Sequence, residues 1–237
     1  MTGFSLRIRR TERGRPSRWV IGEVDLPGSA TLLDALDLVR ERGGACTGLA
    51  FRAACRHGAC GECSMSVDGR GRLACVVTLG ALSSGTRPIS VEPLPGLPVL
   101  RDLVVDRTRF FDAFRGVRPW LIGSEELPDH ELPMSPDELS RLGGADACIL
   151  CGICAASCPV VTAHGAFRGP AAMLKLLGRV RDPRDVDRAG RVADARGEGG
   201  AYRCRGSLRC TESCPRGLDP AQAVVALRRA EPRGPRR

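Results

Sequence analysis

Eleven of the twelve cysteines in this 237-residue chain fall into three spaced sets. Cys55, Cys60, Cys63 and Cys75 form the first; Cys148, Cys151, Cys154 and Cys158, followed by Pro159, form the second; Cys204, Cys210 and Cys214, followed by Pro215, form the third. Repeats this tight suit metal coordination better than disulfide bridges. The spacings read as three iron–sulfur clusters, whose work is one-electron transfer. No other feature constrains the fold as much, because each loop must curl around its cluster and each distant cysteine must be carried back to complete a set.

A disulfide-stapled secreted protein is the rival account of so many cysteines. The first ten residues, MTGFSLRIRR, lack the apolar core of a signal peptide, and the chain is longer than most such scaffolds. No stretch approaches 18 continuous apolar residues, so no membrane-spanning segment is expected and a reducing, cytoplasmic setting is the default. The formal charge is +9, but the arginines are dispersed apart from groups near the two ends, and tyrosine occurs once. That pattern fits a solvated face, or a face for an acidic partner subunit, better than nucleic-acid binding. Aromatic residues are 4% of the chain, so its cores rest on aliphatic side chains.

The first hundred residues read as a small sheet-and-helix domain. Phe4, Leu6 and Ile8 alternate with polar residues as in a half-buried strand, and Trp19 to Leu26 is its expected hairpin partner across a turn at Pro16. Thr31 can cap a helix bearing Leu32, Leu33, Leu36 and Val39, which Gly43-Gly44 ends. Met65 and Val67 mark a short strand, Asp68-Gly69 a tight turn, and Pro88 to Val91 a last strand. Pro93, Pro95, Gly96 and Pro98 mark a junction, giving expected domains over residues 1–98 and 99–237. Beyond it the pattern turns helical, from Leu103 through Phe114, then after Ser135-Pro136, over Ala171 to Leu177 and over Ala221 to Arg229. Arg179 to Gly200 is polar and glycine-bearing and reads as an external helix or loop; the tail after Glu231 reads as frayed.

Cys55, Cys60, Cys63 and Cys75 are close to the plant-type [2Fe–2S] spacing, with Gly58 and Gly61 supplying backbone freedom to the loop. Structural zinc is the alternative, and His57 is a loop or surface residue rather than a Rieske ligand. In the bacterial ferredoxin run the fourth cysteine serves the other cluster of a pair. Cys214 is therefore expected to complete a [4Fe–4S] set with Cys148, Cys151 and Cys154, while Cys158 joins Cys204 and Cys210. That last set is one thiolate short, because Ser207 stands where a fourth cysteine would fall. A [3Fe–4S] cluster fits it, the alternative being a four-iron cluster with Ser207, water or another group on the fourth iron. Cys46 is left over as a buried or incidental thiol.

These motifs, in this order, resemble the iron–sulfur subunit of succinate dehydrogenase and fumarate reductase. The resemblance runs through Ala54 to Gly61, Pro98 to Asp106, Arg118-Pro119-Trp120, Cys148 to Cys154, Gly169-Pro170-Ala171-Ala172 and Cys214 to Pro220. It implies an α+β chain, with an N-terminal β-grasp [2Fe–2S] domain followed by an all-α domain of the bacterial two-cluster ferredoxin type. It further implies a flavoprotein partner subunit with FAD, where succinate and fumarate interconvert. A membrane anchor of one or two subunits would hold quinone and often haem b, placing this chain peripherally on the cytoplasmic side of the cell membrane. The chain would be the electron wire, with no catalytic dicarboxylate residues of its own.

Two positions depart from the ubiquinone-type pattern of that family. Ala163 stands where those relatives carry a tryptophan at the quinone, and Arg205 where they carry a histidine. The resemblance therefore favours menaquinone as the quinone partner. An electron-transfer subunit of a different flavoenzyme, or a free ferredoxin, are the remaining readings of the same cysteines.

Overall fold

Alternating apolar residues in the first 26 positions form a long hairpin. Strand β1 (Thr2–Arg10) pairs antiparallel with β2 (Arg18–Leu26) in unbroken register from Thr2↔Leu26 to Arg10↔Arg18. Phe4, Leu6 and Ile8 point inward, as period-two patterning dictates. The computed structural model describes residues 2–12, 16–82, 87–124, 129–164 and 166–232, so part of the Pro16 turn and most of the tail lie outside the described residues. The chain divides into two units, the first of residues 1–107 and 149–156, the second of 108–148 and 157–237. The Pro93 to Pro98 segment belongs to the first.

In the first unit, helix α1 (Leu32–Arg42) begins at a reciprocal cap. The Asp34 amide donates to Thr31 Oγ1 at 3.2 Å, and the Thr31 amide donates to Asp34 Oδ2 at 2.8 Å. Its Leu32, Leu33, Leu36 and Val39 are buried in the core beside the sheet. Strands β3 (Ser64–Val67) and β4 (Arg70–Leu73) turn on Asp68-Gly69, both at positive φ. After the short helix α2 (Leu79–Leu82), β5 (Ile89–Glu92) enters between β1 and β3, parallel to the first and antiparallel to the second. The resulting order, β2-β1-β5-β3-β4, with α1 packed on it, is the β-grasp arrangement.

Helix was expected from Leu103, but the chain forms a small ribbon there, β6 (Val99–Arg101) with β7 (Val104–Val105). Two β-branched residues and a positive φ of 48° at Asp102 favour the turn. Asp102 is fully buried; it accepts from Arg10 Nε at 2.8 Å and from the amides of Thr11 and Ala50 at 3.1 and 2.9 Å. The Ile149–Ala156 segment also belongs to this unit. Its helical turn α5 (Ile153–Ala156; α3 and α4 belong to the second unit) drives Ile153 into the core, where Gly71 makes room: a Cβ there would lie 2.6 Å from Ile153.

The second unit is helical. It comprises α3 (Thr108–Arg115), α4 (Pro136–Arg141), α6 (Pro159–His164), α7 (Pro170–Arg181), α8 (Arg188–Arg196), α9 (Arg209–Glu212) and α10 (Pro220–Arg229). Ser135 caps α4 through a capping box with Glu138, and Asp219 caps α10 through the Gln222 amide at 2.9 Å. The core is α7 packed against α8 and α10, with Leu174, Leu176, Leu177, Val192, Val224 and Leu227 buried. Each leucine so buried contributes roughly 1.5–3 kcal/mol.

The expected external segment from Arg179 to Gly200 is in fact partly interior. Arg191 is 0% exposed, with Val192 and Ala195 beside it. Its guanidinium donates to Asp185 Oδ2 at 2.8 Å, to the carbonyls of Val117 and Trp120 at 3.2 and 2.8 Å, and to the Arg118 carbonyl. A charge reads as exposed in sequence, and here partners some 70 residues away satisfy it. Among the described residues no helix is long and apolar enough to cross a membrane.

Candidate iron–sulfur sites

The loop from Cys55 to Cys63 has no regular structure and is shaped by its own backbone. Arg56, Gly58 and Gly61 take φ of 63°, 78° and 72°. These turns aim amides at sulfur: Ala59 N and Cys60 N donate to Cys55 Sγ at 3.3 Å each, Gly58 N to Cys75 Sγ at 3.2 Å, and Glu62 N to Cys60 Sγ at 3.5 Å. Cys75, carried back by the turn after β4, brings its Sγ within 3.3 Å of Cys63 Sγ. The four cysteines of the first set are thus gathered around one loop.

The environments of these thiols differ. The His57 amide, followed by the other loop donors, pulls the half-buried Cys55 thiol down to about 6. Burial, followed by the neighbouring Cys75, pushes Cys63 up to about 12. A buried thiol of that kind ionises readily only beside a strong positive charge, which cluster iron would provide. Converging amide donors and a buried thiol pair fit a [2Fe–2S] cluster. Electrostatic tethers hold the loop at both ends: Arg56 pairs with Asp37 of α1, and Glu62 pairs with the buried Arg107. His57 is exposed, with Nδ1 2.5 Å from the Cys55 carbonyl oxygen. Cys46 is buried in the core near Gly22, and burial raises its thiol.

Of the expected [4Fe–4S] ligands, two belong to each unit. Cys151 and Cys154 are buried in the first, Leu150 and Gly152 taking φ of 52° and 82° around Cys151. Ser64 Oγ donates to the Cys151 carbonyl at 2.9 Å, and a Cβ on Gly61 would fall 2.7 Å from Cys151 Cα. Cys148 and Cys214 belong to the second unit.

Cys158, Cys204 and Cys210 all lie in the second unit. Cys158 and Cys210 are buried, and Cys204 packs on the same core. Burial raises the Cys210 thiol, hydrogen bonds from Thr211 lower it, and the charges of Cys158 and Cys204 raise it. The loop between Cys204 and Cys210 turns through Gly206 and Leu208, at φ of 71° and 60°, and Gly206 N donates to Cys204 Sγ at 3.4 Å. Ser207 is exposed on that loop. Two buried thiols, a half-buried third and an amide donor to Cys204 fit a cluster with three cysteine ligands. Among the described residues no group of three or more His, Cys, Asp or Glu side chains is drawn together tightly enough to hold a single metal ion.

Sequence reasoning missed two side chains that hold the cysteine loops, Arg107 on Glu62 and Arg228 on the Cys204 carbonyl. Each is an arginine whose partners are distant in sequence, and no local spacing signals it.

Comparison with known proteins gives consistent matches. Residues 5–112 match the 2Fe-2S iron-sulfur cluster binding domain family, and residues 144–218 the 4Fe-4S dicluster domain family. The chain is 35% identical over 198 residues to the succinate dehydrogenase iron-sulfur subunit of Coxiella burnetii, covering 83% of this chain and 82% of that protein. It is 44% identical over 184 residues to the mitochondrial succinate dehydrogenase (ubiquinone) iron-sulfur subunit 2 of Oryza sativa subsp. japonica, covering 76% of this chain; it spans 58% of that protein's length. A chain in the solved Mycobacterium smegmatis Sdh1 complex in the apo form is similar with a TM-score of 0.85 at 26% identity, covering 96% of this chain and 94% of that one.

Proposed function

The chain belongs to the succinate dehydrogenase iron–sulfur subunit family, and from that premise we propose that it conducts single electrons between an FAD-bearing flavoprotein subunit and membrane quinone. In this reading Cys55, Cys60, Cys63 and Cys75 hold [2Fe–2S], Cys148, Cys151, Cys154 and Cys214 hold [4Fe–4S], and Cys158, Cys204 and Cys210 hold [3Fe–4S]. When bound, such clusters supply reversible one-electron storage. The chain's residues set the conditions for it. Amides aimed at sulfur stabilise added negative charge, and buried surroundings exclude water. Succinate and fumarate interconvert on the flavoprotein, and the anchor holds the quinone together with any haem b. The chain then lies peripherally on the cytoplasmic side of the membrane.

One observation carries this reading. The Cys151 backbone packs against Gly61, so Cys151 and Cys154 share one unit with the four cysteines of the first set. A chain that moves electrons stepwise requires its carriers to be neighbours. The test uses the native complex, purified without oxygen. Succinate is expected to reduce the [2Fe–2S] signal, and a quinone analogue to reoxidise it. Reduction by dithionite but not by succinate would assign the chain to a different flavoenzyme.

Menaquinone is the proposed acceptor, since Ala163 and Arg205 replace the aromatic and histidine residues of ubiquinone-type relatives. Ala163 is exposed on α6, directly beyond Cys158. Turnover with ubiquinone analogues far above that with menaquinone analogues would overturn the assignment.

A further inference from the structure

Arg228 sits on the last turn of α10, and from sequence it is one of several arginines near the C-terminus. In the structure it is half-buried, and its donors converge on the backbone just before and at Cys204. Nε and Nη2 donate to the Ala201 carbonyl at 3.2 and 3.0 Å, and Nη2 also donates to the Cys204 carbonyl at 2.7 Å. Tyr202 completes the clasp: its ring centroid is 5.7 Å from the guanidinium carbon, and its hydroxyl donates to the Arg228 carbonyl at 3.3 Å. Arg228 donates to neutral carbonyls, and among the described residues no carboxylate pairs with it.

Two consequences bear on Cys204. With its carbonyl drawn toward Arg228, the peptide that follows is fixed, and the Gly206 amide two residues on donates to Cys204 Sγ at 3.4 Å. In addition, a guanidinium held in place and partly shielded from solvent is screened less than the exposed arginines 203, 205 and 209 on the same stretch. Both effects favour the more negative, reduced state of whatever cluster Cys204 ligates.

We propose that Arg228 is the positioning residue of the third cluster: it orients the Cys204 loop so that its amide faces sulfur, and its fixed charge raises that cluster's potential. The inference rests on Cys158, Cys204 and Cys210 being that cluster's ligands. A purely structural arginine joining α10 to the Ala201–Arg203 turn would alter stability alone. The proposed role also alters a potential. It makes the cluster farthest along the chain the preferred resting place for an electron.

The test is a potentiometric EPR titration of the native complex in wild-type, Arg228→Lys and Arg228→Gln forms, with the [2Fe–2S] signal as internal control. Lysine keeps the charge but cannot fork to two carbonyls; glutamine loses both. The third cluster's potential is expected to fall in the order wild type, lysine, glutamine. The glutamine variant should lose about tenfold in its reduction equilibrium, which is about 59 mV for one electron. The [2Fe–2S] potential should stay put. If the glutamine variant fails to assemble the cluster, the lysine variant decides: a potential equal to wild type overturns the proposal. So does an unchanged potential in the glutamine variant, or a shift shared equally by the control. A wild-type complex without any signal from the third set would instead overturn the cluster assignment, and this inference with it.

Discussion

Replacing Arg191 with methionine should loosen the segment from Val117 to Ile122 more than any other single change in the second unit. Arg191 and Asp185 are each 0% exposed at the side chain, paired at 2.8 Å. Arg191 also satisfies the carbonyls of Val117, Arg118 and Trp120, and Asp185 Oδ2 accepts from the Ile122 amide at 3.2 Å. Methionine fills most of the volume but leaves a buried carboxylate without its counter-charge. Breaking a buried pair from one side costs about 3–5 kcal/mol. That is a large part of the roughly 5–15 kcal/mol by which a domain is stable. The assay is hydrogen exchange, read by mass spectrometry on the assembled complex. Amides of residues 117–122 and 185–196 should exchange about 10²- to 10⁴-fold faster, as that free-energy loss implies. Adding Asp185→Asn removes the stranded charge and should recover part of the loss. Exchange within about threefold of wild type, or a double variant as damaged as the sum of the singles, would refute the reasoning.

Three further outcomes are expected. Gly61→Ala combines a φ of 72° with a Cβ 2.7 Å from Cys151 Cα, so the [2Fe–2S] EPR signal per chain should fall sharply; Gly69→Ala, at φ 75° with open space around it, should keep the signal and lose only about 1–2 kcal/mol of stability. Ser207→Cys should replace a three-iron by a four-iron EPR signal, and an unchanged three-iron signal would place that position outside ligand reach. Finally, Arg118 holds the Asp187 carboxyl below the usual range, and the Thr211 hydroxyl does the same for Asp219. Because the folded values are depressed, the stability these groups give is present above the unfolded carboxylate value of about 3.9 and is lost as pH falls through the folded values. Exchange at the first turn of α10 should therefore quicken below about pH 4, and Asp219→Ala should cost about 1 kcal/mol and remove that pH response.

Much of the architecture is local and so can be read from the chain. Phe4, Leu6 and Ile8 announce β1 by alternation, and Asp68-Gly69 announces the β3–β4 turn by the backbone angles it tolerates. Thr31, Ser135 and Asp219 announce helix starts because a cap is a contact between residues three apart. The cysteine sets are equally local, since loop ligands must follow one another closely. The rest depends on partners distant in sequence. Ile149–Ala156 joins the first unit because Gly71 and Gly61 leave space for Ile153 and Cys151, which no periodicity encodes. Arg191 and Arg228 read as surface charges because the carbonyls that satisfy them come from positions 117–120 and 201–204. Leu103 to Val105 looked helical because apolar spacing alone does not weigh a buried Asp102 that pins a turn.

The proposed wire of three clusters is tested by EPR of the anaerobically purified native complex, with iron and acid-labile sulfide analysis. The account predicts a [3Fe–4S] signal in the oxidised sample, joined on stepwise reduction by [2Fe–2S] and then [4Fe–4S] signals. Two four-iron clusters with no three-iron signal would contradict the ligand assignment at Ser207, and zinc in place of iron with no sulfide would contradict the electron-transfer account itself.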